Sequence, residues 1–171
     1  MAQKYLLAID DTDAAVRTAK YLKKVLKKGD KVTIFNVIHN MSVLYNINDP
    51  AGMPIYTENQ AIFTQLEDDR KEKMNKEMEK IKKIITDSGI SKNDVNVKIE
   101  NQKIGNIAGQ IAEEAKKGKF NTVVMGKHNS SRISEFILGS VTHKLIHLSE
   151  DIPVIVVWSR IKHNYFTYRY L

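Results

Sequence analysis

Short apolar and β-branched runs alternate along this chain with stretches of helical periodicity. That alternation constrains the fold more than any other feature. The runs cover residues 4–9, 31–38, 95–99, 121–125 and 154–158. After the first, Asp11, Thr12 and Asp13 form an N-cap cluster, Ala15, Ala19, Leu22 and Leu26 recur at helical spacing, and Gly29 is expected to close the helix. Ile62, Leu66, Arg70, Met74, Met78, Ile81 and Ile85 mark one face of a long helix ended by Gly89. The pairs Glu67–Lys71, Glu72–Lys76 and Glu79–Lys83 lie four apart along it, in the favourable orientation. Its methionines read as core or dimer packing. Gly105-Asn106 opens a third helix, with Ile107, Ile111, Ala112 and Ala115 on one face and Gly118 at its end. Residues 139–149 make a fourth, with Val141, Leu145 and Leu148 inward and Pro153 blocking its extension. The segment 39–57, with Asn48-Asp49-Pro50, Gly52 and Pro54, reads as one long loop. The order β-α-β-α-β-α-β-α-β predicts an α/β fold: a doubly wound, five-stranded parallel sheet with helices on both faces, Rossmann-like. Residues 1–159 are expected to form one domain and 160–171 a basic, aromatic tail.

In open α/β sheets, ligands bind beyond the carboxyl ends of the strands, where the strand order reverses. Asp10, Val37 and Gly126 all fall at predicted strand ends. The stretch after the fourth run has the make-up of a phosphate site. Met125 and Gly126 lead into a polar loop carrying Lys127, His128, Asn129, Ser130, Ser131 and Arg132. Gly139, Ser140, Val141 and Thr142 then open a helix. Unpaired N–H groups and the helix dipole favour an anion there, and glycine lets main chain approach it. A nucleotide or other phosphorylated ligand at residues 126–142 is therefore expected.

The rest of the sequence removes competing chemistry. There is no cysteine, hence no disulfide framework, thiol nucleophile or Cys-based metal site, and a cytoplasmic location is the simplest expectation. No apolar run is long enough to cross a bilayer. The net charge of +7 comes largely from lysines at helix ends and along the long helix, which reads as a solvated face ahead of a nucleic-acid surface. The tail alternates aromatic and basic residues; packing against the domain or a partner is favoured over base stacking. No Walker-type phosphate loop and no nucleophile elbow is present. His143 and His147 have metal-ligand spacing, but no Glu-containing zinc motif surrounds them and no metal site is assigned.

These residues resemble the universal stress proteins. The resemblance runs from Lys4 to Trp158. It rests on Tyr5-Leu6-Leu7-Ala8-Ile9-Asp10-Asp11-Thr12, Gly105-Asn106-Ile107-Ala108 and Asp151-Ile152-Pro153-Val154-Ile155-Val156-Val157. The family's nucleotide motif is glycine, two residues, glycine, nine residues, glycine, then serine or threonine. It is matched by Gly126, Asn129, Gly139 and Ser140. The resemblance implies that Asp10 contacts the ribose, that Ala8 and Ile9 line the adenine, and that Val37 offers its main chain to the adenine edge. It also implies that Gly126, Asn129, Gly139, Ser140 and Val141 cradle phosphates. Met125 and Thr142 flank these positions, and Lys127, His128 and Arg132 join them by charge and placement. Two residues depart from the pattern. Asn129 replaces the second glycine; asparagine tolerates the left-handed region, yet its side chain occupies space beside the phosphates. Asp11 stands where glycine is common.

The implied ligand is ATP or AMP, with Mg2+ held on the phosphates by Asp10 or Asp11. Three readings stay open: a nucleotide-binding regulatory protein acting on an unidentified signalling partner, a nucleotide-independent interaction protein of the same fold, and a slow ATP hydrolase. A homodimer through the strand Val154 to Trp158 is also implied.

Overall fold

Leu6 and Leu7 are neighbours in the first strand, and both are fully buried. Successive strand side chains point to opposite faces, so a pair like this requires a sheet covered on both sides. The computed structural model describes residues 1–10, 13–38, 52–102, 107–127, 139–149 and 151–158. Its strands are β1 Lys4–Ala8, β2 Lys31–Ile38, β3 Val95–Asn101, β4 Thr122–Gly126 and β5 Val154–Val157. They form one five-stranded sheet in the order β3-β2-β1-β4-β5, every pair parallel. The described helices are α1 Asp13–Val25, α2 Gly52–Glu58, α3 Gln60–Thr86, α4 Ile107–Lys117 and α5 Ser140–Leu148, with a 3-10 turn at Lys92–Asp94.

The core lies in two layers. Leu7, Val32, Ile34, Ile38 and Val124 pack against Ala15, Ala19 and Leu22 of α1 and Met74, Met78, Ile81 and Ile85 of α3. Leu6, Phe35, Val37, Val123 and Met125 pack against Ala108, Ile111, Ala112 and Ala115 of α4 and Leu145 of α5. Helices thus cover both faces, and the expected doubly wound α/β architecture is present. No helix among the described residues is long and apolar enough to cross a membrane.

Several expectations need correction. The segment 39–57 is not all loop, because Gly52 to Glu58 form α2. Pro54 is compatible with helix there because it sits in the first turn, where its missing N–H has no intrahelical partner anyway. Ile62 and Leu66 do not join the buried stripe of α3; they are 57% and 40% exposed, and Phe63 is buried instead. The helix is about 40 Å long at 1.5 Å per residue, against about 26 Å for β2, the longest strand. Its N-terminal part therefore outruns the sheet. Of the expected ion pairs along it, Glu72–Lys76 closes at 2.5 Å. Lys71 lies 3.8 Å from Asp68, and Lys80 pairs with Glu77 at 2.6 Å. Leu148 of α5 is 41% exposed rather than inward. Trp158 lies just past the end of β5, with β5 itself at an edge of the sheet as expected.

The end of α4 also differs in cause. Phe120 N–H reaches the Ala115 carbonyl and Lys119 N–H reaches that of Lys116, a six-to-one and five-to-two capping pair. The left-handed residue is Lys119, at φ 51°, not Gly118. Gly118 is needed because any Cβ there would collide with the Phe120 ring. At the opposite edge of the sheet, Lys98 of β3 bonds Glu114 at 2.6 Å and Glu100 at 3.0 Å. Those two hydrogen bonds, Glu114 first, raise the Lys98 pKa above the ordinary lysine value. A charge-bearing edge of this kind discourages pairing with another chain.

Candidate functional site

The chain lays β2 and β3 on one side of β1, then crosses to place β4 and β5 on the other. The order reverses between β1 and β4, the place beyond the strand ends where sheets of this kind bind ligands. Register brings the predicted residues to that place. Ala8 ends β1 opposite Phe35 of β2 and opposite Met125 of β4. Ile9, buried, continues β1 by donating its N–H to the Phe35 carbonyl at 2.9 Å, and Asp10 follows as an exposed residue. Val37 lies two residues past Phe35 and is 8% exposed.

The peptide groups of alternate strand residues point the same way. Phe35 offers its carbonyl to β1, so the N–H and C=O of Val37 also face the β1 side. The β1–β2 ladder stops before reaching them, its last register pair being Ala8 with Phe35. The Ile9 carbonyl accepts from the Asn36 side-chain amide at 2.7 Å. Asn36 was not among the residues expected from sequence. Its signal was a lone carboxamide inside an otherwise apolar and β-branched strand.

Gly126 is the last residue of β4, at the strand end where it was expected. A Cβ on it would stand 2.7 Å from Thr18 Oγ1, 2.9 Å from Ala14 Cβ and 3.1 Å from the Ala14 carbonyl. Thr18 is fixed, since its hydroxyl donates to that same carbonyl at 2.7 Å. Gly126 therefore lets α1 pack directly on the end of β4. Lys127 extends the β4–β5 ladder by donating its N–H to the Val157 carbonyl at 2.9 Å. Its side chain is not an open loop cation as expected from sequence. It is 3% exposed, and its ammonium sits 3.9 Å from the centre of the Trp158 ring, a cation–π contact.

α5 runs back from the carboxyl edge of the sheet, so its first turn lies at that edge. Gly139 is its N-cap, at φ −58° and ψ 153°, with no side-chain capping bond. Its φ is ordinary and nothing lies within 4 Å of a Cβ built on it, so neither conformation nor crowding within the described residues demands glycine. Ser140 is exposed, Val141 is partly buried and Thr142 is 4% exposed. Among the described residues the first turn of α5 thus carries no side-chain cap, leaving its amides for another partner. Asp11, His128, Asn129 and Arg132 lie outside the described residues. No group of three potential metal ligands occurs among the described residues.

Comparison with known proteins agrees with this layout. The universal stress protein MJ0577 of Methanocaldococcus jannaschii is 28% identical over 163 residues, covering 92% of this chain and 95% of that protein. The solved structure of MJ0577 has a TM-score of 0.72 at 25% identity, covering 95% of this chain and 99% of that one. A universal stress protein from Archaeoglobus fulgidus, solved in complex with dAMP, has a TM-score of 0.53 at 16% identity over 90% of this chain and 96% of that one. Another universal stress protein, solved in complex with cAMP, has a TM-score of 0.51 at 19% identity over 91% of this chain and 96% of its own. A model of the universal stress protein family matches residues 1–157, and with that match spanning all five strands, the chain belongs to this family.

Proposed function

We propose that this protein binds an adenine nucleotide, ATP or AMP, at the carboxyl ends of β1, β2 and β4, and acts as a regulatory homodimer. The observation that carries the reading is the meeting of two features at one switch point. Val37 turns its peptide groups toward a ladder that has already ended, and the first turn of α5 is uncapped. The first suits a base edge and the second suits phosphate. Ala8 and Ile9 wall the base, Asp10 meets the ribose, and Gly139, Ser140, Val141 and Thr142 face the phosphates, with Asn129, His128 and Arg132 supplied by the loop. Met125, Gly126 and Lys127 form the floor on the β4 side. The complexes of two family members with dAMP and cAMP support the ligand class. Mg2+, when present, would be held by Asp10 together with the nucleotide and would offset the phosphate charge, since one or two carboxylates plus phosphate oxygens suffice for it.

Calorimetry with ATP, ADP and AMP, together with mass spectrometry of co-purifying nucleotide, tests the reading. Asp10→Ala is expected to weaken AMP about tenfold, the loss of one charge-assisted hydrogen bond. An absence of heat and of any melting shift at millimolar nucleotide would leave the nucleotide-independent reading in its place.

Dimerisation follows from the β5 edge. Val154 and Val156 offer main-chain groups on the side away from β4, and a second copy can pair with them. Ile146, Leu148 and Trp158, 40%, 41% and 46% exposed, supply apolar surface on α5 and just past β5. Sedimentation at micromolar concentration is expected to give a dimer, and Val156→Pro, which removes a strand N–H on the side away from β4, is expected to shift it toward monomer. A wild-type monomer under those conditions rules this arrangement out.

A further inference from the structure

We infer that Asn36 is a positioning residue that ends the β1–β2 ladder one rung early and so reserves the Val37 N–H for an acceptor on the ligand base. In a parallel ladder, Ile9 bonds the Phe35 carbonyl through its N–H and should receive the Val37 N–H at its own carbonyl. The first bond is present at 2.9 Å. The second rung is missing from the register, which closes at Ala8 and Phe35. Asn36 Nδ2 takes the Ile9 carbonyl instead, at 2.7 Å. The orientation of the amide is fixed by this bond, since only the nitrogen can donate.

Asn36 is a poor choice for stability alone. It is 5% exposed, and its Oδ1 is buried without a hydrogen-bond partner among the described residues. By alternation it shares a face with Ile34 and Ile38, both in the apolar cluster beneath α1 and α3. An apolar residue would fill that place without stranding an acceptor. It would also release the Ile9 carbonyl to pair with Val37. Asn36 thus gives up a sheet rung and a satisfied oxygen, and one strand N–H stays available at the mouth of the crevice. A group presented there selects an unprotonated ring nitrogen. Adenine offers one on its pairing edge, whereas hypoxanthine carries N–H at that position.

The part concerning the ligand rests on the adenine-nucleotide reading above; the ladder assignment does not. The test is amide exchange at Val37 in the full chain without nucleotide, in wild type and in Asn36→Val, with Asn36→Leu as a second apolar variant. In wild type, Val37 is expected to exchange at least tenfold faster than Phe35, whose N–H lies within the ladder. In either variant it is expected to slow about tenfold or more, with the melting temperature unchanged or raised. Titration then compares AMP with inosine monophosphate. The preference for AMP is expected to fall about fivefold in the variants, the share of one hydrogen bond. Equal Val37 exchange in wild type and both variants overturns the assignment, as does an unchanged preference for AMP in variants whose Val37 is newly protected. If exchange behaves as expected but wild type binds neither nucleotide, the nucleotide reading fails and the ladder assignment stands.

Discussion

Gly126→Ala is expected to destabilise the protein by about 2 kcal/mol, the scale of an overpacked core contact. For a domain of this size that lowers the melting temperature by about 4–8 °C. A glycine at the mouth of a phosphate site invites the view that it exists for the ligand, and such a glycine would accept a methyl group without loss of stability in the empty protein. Here the added Cβ meets Thr18 Oγ1 at 2.7 Å and Ala14 Cβ at 2.9 Å, and the first of these is tied to the helix backbone. α1 must move away from β4 to make room. Denaturant midpoints of the nucleotide-free protein measure the cost. Thr18→Ala removes one of the two close atoms, so Gly126→Ala is expected to cost less on that background, a coupling of about 0.5–1 kcal/mol. A neutral single variant would return Gly126 to the ligand alone.

Leu145→Ala is expected to cost about 3 kcal/mol and to weaken nucleotide binding as well. Leu145 is fully buried in the cluster with Phe35, Val123 and Met125. α5 has nine residues, and Thr142 and Leu145 are its fully sheltered contacts with the rest of the protein. Its first turn holds its place through them. Ile81→Ala is the control: Ile81 is equally buried, but belongs to α3, which covers the other face of the sheet. Both variants are expected to lower the denaturation midpoint, while AMP affinity falls tenfold or more only in Leu145→Ala. Equal affinity in the two would mean that α5 does not carry the phosphate contacts.

The strand–helix alternation was legible because each run has an apolar, β-branched or alternating signature and each helix a 3.6-residue period bounded by turn residues. Leu6-Leu7 and Val123-Val124 already implied a sheet covered on both faces. What sequence could not supply was the extent of cover. Ile62 and Leu66 sit on the same helical stripe as Met74, yet nothing in their spacing tells that α3 outlasts the sheet beneath it. Gly52 and Pro54 resemble loop chemistry, although a first helical turn accepts both. At the candidate site, the strand ends converge as their positions in the alternation required. The identity of Gly126 was plain, but the reason for it lay in Thr18, more than a hundred positions away. Lys127 was read as an open cation because charge and loop placement carry no record of an aromatic ring just past the next strand. Asn36 passed unnoticed because one polar residue barely dents the apolar pattern of a strand.

The stack of Lys127 on Trp158 gives the molecule an intrinsic optical probe. The sequence contains a single tryptophan, so all indole emission comes from one place. A positive charge 3.9 Å from the ring centre perturbs the excited state, whose dipole responds to nearby fields. Lys127 follows Gly126 directly, so a rearrangement at the end of β4 that displaces the ammonium alters the colour and yield of that light. Events at this strand end can therefore be timed in unlabelled protein, mixed and watched in a stopped-flow cell.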